Sequence, residues 1–147
     1  MKKLNSMTNI KKINIQKPKI INVKNGNVLK VIKKNNKMYK GFGEIYFSSI
    51  KYNKIKGWKL HKKMHMTITV PYGLVKFVFN INKGNNFKEV LVGSEKKYYK
   101  IISVPSNIWF AFKGLSKNDS LVCNISNIVH SSKEVNSCNL NEIPYEW

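Results

Sequence analysis

The chain has 147 residues, of which 42% are hydrophobic and 23% are charged, and this size and composition fit one globular domain. No run approaches the ~20 apolar residues that a membrane-spanning helix needs, and the Lys-rich start is not followed by the apolar core of a signal peptide. Two cysteines, Cys123 and Cys138, are too few for the disulfide framework of a small secreted domain. The sequence therefore predicts a cytoplasmic protein with no membrane partner.

The formal net charge of +20 would by itself suggest a nucleic acid or another acidic partner. All 27 basic residues are Lys, however, and none is Arg, the side chain best shaped for bidentate contacts with phosphate and guanine. The chain also holds 20 Asn and 17 Ile, and the codons of Lys, Asn and Ile are all rich in adenine and thymine. We interpret much of the charge as the record of a biased genome and predict no nucleic-acid partner.

Residues 1–18 are polar, Lys-rich and without a clear period, which predicts a poorly ordered arm ahead of a single domain over residues 19–147. From Ile20 onward, short β-rich runs are separated by turn signals, and Asn25-Gly26 is a strong hairpin signal. The runs follow in the order KIINV, VLKVI, GEIYFSSI, TITV, LVKFVFNI, YYKIISV, NIWFAF and SLVCNIS. Short strands at this spacing indicate a β-sandwich or barrel, and no segment shows a sustained helical period.

The segment from Gly57 to Val70 alternates almost cleanly between apolar and polar residues; if it is one strand, successive side chains point to opposite faces. Its polar face carries two lysines and two histidines: Lys59, His61, Lys63 and His65. Such a row either faces solvent or lines a pocket, and the sequence alone leaves both readings open. In a pocket, the row would bind an anionic ligand and supply a base that titrates near neutrality.

Other kinds of chemistry have little support in the sequence. His61 and His65 are four residues apart, which on a strand separates them by roughly 13 Å, too far to share one metal ion. Cys123 lies in an apolar run, where a buried thiol is the usual state, and no glycine-rich phosphate loop is present. We therefore expect no metal and no cofactor.

Aromatic residues at three places are open to two interpretations. Tyr72 and Trp109 flank predicted strands, where they either pack in the core or stack on a base or sugar. The final segment, NLNEIPYEW, is predicted to pack on the body of the domain or on a second subunit.

The order of four segments resembles the dTDP-4-dehydrorhamnose 3,5-epimerase family: Gly57–His61, Val70–Val78, Ser103–Phe112 and Leu121–His130. The resemblance covers roughly residues 28–147 and rests on motif order and hydrophobic pattern. It implies an all-β, cupin-like double-stranded β-helix, that is, a jelly-roll barrel. It also implies a metal-free homodimer that epimerises a nucleotide-linked 4-keto-6-deoxy sugar at carbons 3 and 5.

In this resemblance His61 matches the catalytic histidine, which implies that it removes a proton from a carbon next to the ketone. The family's arginine is unmatched and its lysine falls near Met66. Lys63 or Lys59 would then stabilise the enolate oxygen or meet the substrate phosphate.

The family's tyrosine acid aligns with Cys123, so the candidate acids are Cys123 and the nearby His130. The remaining candidates are residues that would contact the substrate: Lys59, His65, Tyr72 and Trp109. These departures leave open a sugar-nucleotide isomerase that acts at one carbon or on another sugar, and a non-catalytic cupin that binds a sugar nucleotide or carbohydrate. A polyanion-binding β-barrel is the third alternative.

Overall fold

The computed structural model describes residues 10–147. Within this range the regular structure consists of β-strands and two single-turn 3-10 helices, Ser132–Glu134 and Leu140–Glu142. The strands are β1 (Asn14–Gln16), β2 (Ile20–Ile21), β3 (Val28–Leu29), β4 (Glu44–Ile50), β5 (Ile55–His61), β6 (Met66–Tyr72), β7 (Leu74–Asn80), β8 (Phe87–Gly93), β9 (Ile101–Val104), β10 (Trp109–Gly114), β11 (Ser120–Ser126) and β12 (Val135–Ser137). No helix between residues 10 and 147 has the length and apolar character needed to cross a membrane.

Two antiparallel five-stranded sheets make up the body of the domain. One has the strand order β1-β9-β6-β11-β4 and the other the order β12-β5-β10-β7-β8. The main core lies between them and is filled by large apolar side chains such as Met66, Ile68, Phe77 and Phe79. The predicted all-β, cupin-like jelly-roll barrel is confirmed.

The predicted N-terminal hairpin is also present. Strands β2 and β3 pair antiparallel, with Ile20 opposite Leu29 and Ile21 opposite Val28. Gly26 closes the turn with a φ of +138°, a conformation that glycine adopts without steric cost. Strand β8 is not among the predicted runs, because Lys88 and Glu89 interrupt its apolar pattern.

The predicted N-terminal arm differs from the structure in one place. Asn14–Gln16 form β1, which pairs antiparallel with β9 at the edge of the first sheet. The expectation of a poorly ordered arm therefore fails for these three residues, whose backbone is held by ladder hydrogen bonds. Residues 1–9, which the same expectation covers, lie outside the described residues.

The interpretation of Gly57 to Val70 as one strand is wrong. The chain leaves β5 after His61, turns through residues 62–65 and enters β6, which belongs to the opposite sheet. Glu134 stabilises this turn: its Oε1 accepts hydrogen bonds from the backbone N–H groups of Lys63 (2.9 Å) and Met64 (2.8 Å). The turn changes the phase of the alternation, so Trp58 faces outward from β5 whereas Met66 faces the core between the sheets.

A second, smaller apolar cluster covers the outer face of the β12-β5-β10-β7-β8 sheet. Trp58 is only 1% exposed there, and its ring lies 5.8 Å from that of Trp147. Tyr145 Oη donates to Glu89 Oε1 at 2.6 Å, and Lys76 Nζ lies 5.2 Å from the centre of the Tyr145 ring. The aromatic C-terminal segment thus packs on the body of its own domain, the first of its two predicted positions.

Candidate active site

A cavity of about 360 Å³ opens between the two sheets, a volume in the range of small-molecule sites. Strands β5, β7 and β10 form one wall, and β4, β6 and β11 form the other. The lining combines an apolar floor with a polar rim: Tyr46, Ser48, Lys56, Gly57, Lys59, His61, Ile68, Phe77, Phe110, Phe112, Val122, Asn124 and His130.

His61, at the end of β5, is the most constrained polar residue of this lining. Its side chain is 5% exposed, and its Nδ1 lies 2.7 Å from Glu134 Oε2. The ring stacks on Phe110, with ring centres 5.9 Å apart and planes 17° from parallel. Since Nδ1 is engaged and Nε2 bonds no other described residue, Nε2 is the ring nitrogen left for a ligand.

The backbone around Glu134 places its side chain next to His61. Ser131 caps the 3-10 helix that contains Glu134, and the next residue, Val135, starts β12 directly opposite His61. Burial opposes ionisation of Glu134, but the hydrogen bonds from His61 and from the backbone N–H of Lys63 outweigh it, so the pKa of Glu134 is lowered. Glu134 is therefore an anion near neutral pH and accepts the Nδ1–H of His61.

Two lysines give the cavity its charge. Lys56 and Lys59 both extend from β5, and Lys56 Nζ donates to Ser48 Oγ across the cavity at 2.7 Å. None of the described lining residues is acidic. The cavity therefore favours an anionic ligand.

The wall opposite His61 carries polar groups that the sequence did not suggest. Asn124 on β11 donates from Nδ2 to Tyr46 Oη at 2.6 Å. Burial raises the pKa of the Tyr46 phenol, although the Asn124 hydrogen bond opposes the shift, so Tyr46 keeps its proton at neutral pH. The alternation in GEIYFSSI could have indicated this wall, because Tyr46 and Ser48 share one face of β4.

Three of the candidates from the sequence line the cavity: His61, Lys59 and His130. His130 lies at the exposed rim, where its backbone N–H donates to Glu44 Oε1 at 2.8 Å. The other five candidates are not among the lining residues: Lys63, His65, Cys123, Tyr72 and Trp109.

The turn after β5 accounts for the positions of two of these five residues. Lys63 is exposed in the turn and contributes only its backbone N–H, which donates to Glu134. His65 is the last residue of the turn, and its Nε2 lies 2.6 Å from Ser103 Oγ of β9.

Strand alternation accounts for Trp109 and Cys123, and a position at the end of its strand accounts for Tyr72. Trp109 belongs to the outer cluster, since its neighbour Phe110 faces the cavity. Cys123 lies between the lining residues Val122 and Asn124 and so faces the other side of β11; burial raises the pKa of its thiol. Tyr72 ends β6 with 57% of its side chain exposed.

The described residues contain no group of three or more His, Cys, Asp and Glu side chains that could hold a metal ion. Glu134, which the sequence did not suggest as a site residue, is bonded to one histidine and to backbone N–H groups.

No protein-family model and no curated protein matches the chain. Several solved structures match it closely in fold. A dTDP sugar isomerase from Desulfovibrio desulfuricans has a TM-score of 0.87 at 24% identity, over 92% of this chain and 90% of that one. The sugar 3,4-ketoisomerase QdtA from Thermoanaerobacterium thermosaccharolyticum, in complex with TDP, has a TM-score of 0.72 at 15% identity, over 89% of this chain and 91% of that one.

A third match is the dTDP-6-deoxy-D-glucose-3,5-epimerase RmlC from Legionella pneumophila, in complex with dTDP-4-keto-L-rhamnose. Its TM-score is 0.77 at 13% identity, over 92% of this chain and 78% of that one. These likenesses, together with the two facing sheets, show that the chain has the fold of the dTDP-sugar isomerases and epimerases.

Proposed function

We propose that the protein is a sugar-nucleotide epimerase or isomerase, dTDP-4-dehydrorhamnose 3,5-epimerase-like, that acts on a nucleotide-linked 4-keto-6-deoxy sugar. The observation that carries the proposal is the His61–Glu134 pair, in which a buried carboxylate engages Nδ1 and leaves Nε2 for the cavity. The fold shared with enzymes whose structures hold TDP and dTDP-4-keto-L-rhamnose supports the same class of ligand.

His61 is the base of the proposed reaction. Its Nε2 takes the proton from a carbon next to the ketone, the C–H electron pair becomes a C=C bond, and the carbonyl pair moves onto oxygen to give an enolate. The imidazolium that results is stabilised by the Glu134 carboxylate at 2.7 Å. The pair thus supplies a positioned base whose protonated form does not have to be stabilised by water.

Lys59 and Lys56 hold the charged parts of the ligand. Lys59 precedes His61 by two residues on the same face of β5, a distance of about 6–7 Å, which places it beside the reacting sugar. We assign Lys59 to the enolate oxygen or the adjacent phosphate. Lys63, the alternative candidate for this role, does not line the cavity. Lys56, further along β5, contributes positive charge for the rest of the diphosphate.

The product depends on where the proton returns. Delivery to the opposite face of the same carbon inverts that carbon, which is epimerisation. Delivery to the former carbonyl carbon moves the ketone, provided that the hydroxyl on the carbon that lost its proton becomes the new carbonyl and its O–H proton passes to the former carbonyl oxygen; this is ketoisomerisation. His130 and Tyr46 both line the cavity and can donate a proton.

Solvent isotope exchange tests the shared first step. The purified protein is incubated with dTDP-4-keto-6-deoxyglucose in heavy water, and deuterium entering carbons 3 and 5 is followed by NMR. We expect exchange in the wild type and its loss in His61→Asn. His65→Asn is the matched control, because His65 lies outside the cavity and should leave exchange within a few-fold of the wild type.

The outcomes separate the proposed enzyme from a binding protein. If the wild type shows no exchange, catalysis on this substrate is refuted. If it nevertheless binds the nucleotide sugar, and His61→Asn keeps that affinity, the protein is a non-catalytic sugar-nucleotide-binding cupin. That alternative is favoured by two departures from the family: the core residue Met66 and the thiol of Cys123 stand where the resemblance expects the lysine and the tyrosine acid.

We also propose that the protein is a homodimer formed through β4. This strand is at the edge of its sheet, and Phe42, Ile45 and Phe47 are 63%, 49% and 61% exposed. An apolar sheet edge left open to water invites pairing with another chain, and a second copy of this chain would cover it. Light scattering should give a dimer mass for the wild type and a monomer mass for Phe47→Lys; a monomeric wild type would refute the proposal.

The location that we propose is the cytoplasm. Cys123 and Cys138 are both free thiols, as expected in a reducing compartment. Fractionation of cells that make the protein should recover it with cytoplasmic markers.

A further inference from the structure

A second cavity of about 360 Å³ lies beside the N-terminal hairpin and shares no lining residue with the candidate active site. Its lining comes from β1, from the base of the hairpin and from the segment that follows it: Gln16, Pro18, Lys19, Lys30, Val31, Ile32, Lys33, Asn35 and Asn36. Three of these described lining residues are lysines and none is acidic. The volume falls in the range of small-molecule sites.

The charge of this part of the chain is unbalanced in a way that codon bias does not explain. Residues 1–43 contain 12 of the 27 lysines and no acidic residue, which gives a formal charge of +12. The remaining 104 residues contain 15 lysines and all seven acidic residues, which gives +8. A biased genome raises the lysine content of the whole chain, but it does not remove acidic residues from one segment. Positive charge without counter-charges attracts anions.

Two of the three lysines lie opposite each other across the base of the hairpin. The backbone N–H of Lys30 donates to the carbonyl of Lys19 at 3.2 Å, one position beyond the Ile20–Leu29 pair, so the two side chains extend from the same face. Like charges directly opposite each other destabilise a strand pair. An anion bound between the two ammonium groups replaces this repulsion by attraction.

Polar amide groups and an apolar wall complete the cavity. Asn36 is held at both ends, since its Nδ2 donates to Gln16 Oε1 at 3.1 Å and its Oδ1 accepts from the backbone N–H of Met38 at 2.8 Å. Gln16 Nε2 bonds no other described residue, so its N–H groups can donate to a ligand. The apolar part of the lining consists of Pro18, Val31 and Ile32.

We propose that this cavity binds a small organic polyphosphate, such as a nucleoside di- or triphosphate. Lys19, Lys30 and Lys33 bind the phosphate groups, whose several negative charges match three ammonium groups, and the apolar wall contacts the organic part. A nucleic acid requires an extended basic surface along its backbone, whereas a cavity of this volume encloses a small molecule. The site is independent of the proposed reaction, because the two cavities have no lining residue in common.

Titration of the full chain with ATP tests the proposal, and inorganic triphosphate serves as the arm that lacks an organic part. Backbone amide shifts in two-dimensional NMR locate the site, and calorimetry measures the affinity. We expect ATP to shift the amides of residues 19 and 30–36 and to bind more tightly than inorganic triphosphate. In Lys30→Gln the affinity for ATP should fall about 3- to 10-fold, as for the loss of one partly screened charge contact.

Lys30→Gln is a suitable variant because the hydrogen bonds of Lys30 to the rest of the described chain are made by its backbone. Its N–H donates to Lys19, and its carbonyl accepts from Tyr99 Oη at 2.8 Å. Removing one of two facing charges should leave the Tm of the free protein unchanged or raise it. The matched control is Lys117→Gln, at an exposed position between β10 and β11 and outside both cavities, which should bind ATP as the wild type does.

Several outcomes would overturn the proposal. One is that ATP leaves the amides of residues 19 and 30–36 unshifted, and this includes the case in which it shifts only residues of the candidate active site. Another is that Lys30→Gln and Lys117→Gln weaken binding equally. Inorganic triphosphate that binds at these amides as tightly as ATP would refute an organic ligand. A single-stranded oligonucleotide that binds there when ATP does not would refute a small molecule in favour of a nucleic acid.

Discussion

Replacing Glu134 by Gln changes the candidate site at one atom and should remove most of the proposed activity. The glutamine Oε1 can still accept from the backbone N–H groups of Lys63 and Met64, but an NH₂ group then faces His61 Nδ1. That group donates to Nδ1, so the ring proton moves to Nε2 and the base is lost. A carboxylate that holds a catalytic histidine in its tautomer is worth up to about 10⁴ in rate, and we expect deuterium exchange to fall by about 10²–10⁴.

The same substitution should lower the free energy of unfolding. Hydrogen bonds to a charged group contribute about 1.5–3 kcal/mol each, whereas neutral ones contribute about 0.5–1.5 kcal/mol. Two backbone bonds become neutral and the bond to His61 reverses its direction, which together give a loss of about 2–4 kcal/mol. For a chain of this length, that loss corresponds to a decrease of about 5–15 °C in Tm.

The pH dependence gives a second readout. Because the pKa of Glu134 is lower in the folded protein than its ordinary value of 4.5, its contribution to stability is present above that value and is lost as the pH falls through the folded pKa. The Tm difference between the wild type and Glu134→Gln should therefore be full at pH 6 and shrink toward pH 3. Thermal unfolding monitored by circular dichroism measures it.

Deuterium exchange by Glu134→Gln as fast as by the wild type, or a Tm difference that is the same at pH 6 and pH 3, would refute the role assigned to Glu134. The control variant is Glu95→Gln, at an exposed position that lies outside the cavity. It should leave both the exchange rate and the Tm close to the wild-type values.

Three further predictions concern other parts of the molecule. Burial and the nearby charge of Lys40 lower the pKa of His65 below 6.5. The contribution of neutral His65 to stability is therefore lost as the pH falls through the folded pKa. The Tm of the wild type should decrease more from pH 7 to pH 5 than that of His65→Gln. Removal of Tyr145–Trp147 should expose Trp58 and red-shift the tryptophan emission relative to Trp147→Phe, the reference that also lacks the Trp147 emission; a spectrum equal to that reference would show that the tail does not cover Trp58. Gly73→Ala should lower the free energy of unfolding by more than about 1 kcal/mol. Gly73 has a φ of +85°, and a Cβ there would collide with Ser120. Chemical denaturation measures the loss.

The sequence predicted the features that depend on local pattern. Short β-rich runs separated by turn signals predicted the all-β barrel, and Asn25-Gly26 predicted the first hairpin. His61 and Lys59 were identified because they lie on one strand in a recognisable motif, and the structure places both in the cavity.

Features that depend on the phase of a strand were harder to predict. In the sequence, the turn at residues 62–65 looks like a continuation of the strand, because Lys63 and Met64 keep the alternation of polar and apolar residues. Its actual shape is set by the carboxylate of Glu134, some 70 residues further along the chain. Once the turn is placed, the positions of Lys63 and His65 outside the cavity follow.

Contacts between distant segments left no local signal. Glu134 stands in a polar stretch, SSKEVNS, and is one of only seven acidic residues in the chain, but nothing near it indicates a histidine partner. The bond between Tyr46 and Asn124 was missed for the same reason, since it joins strands that are 78 positions apart.

The 73 positions between His61 and Glu134 also have a kinetic consequence. Closing so long a loop costs conformational entropy before any contact compensates for it, and proteins of high contact order fold slowly for this reason. The β5–β12 pairing that joins the two residues is therefore expected to form late in folding. In a refolding experiment, the proposed deuterium exchange should return with the slowest phase, after most of the β-sheet signal has recovered.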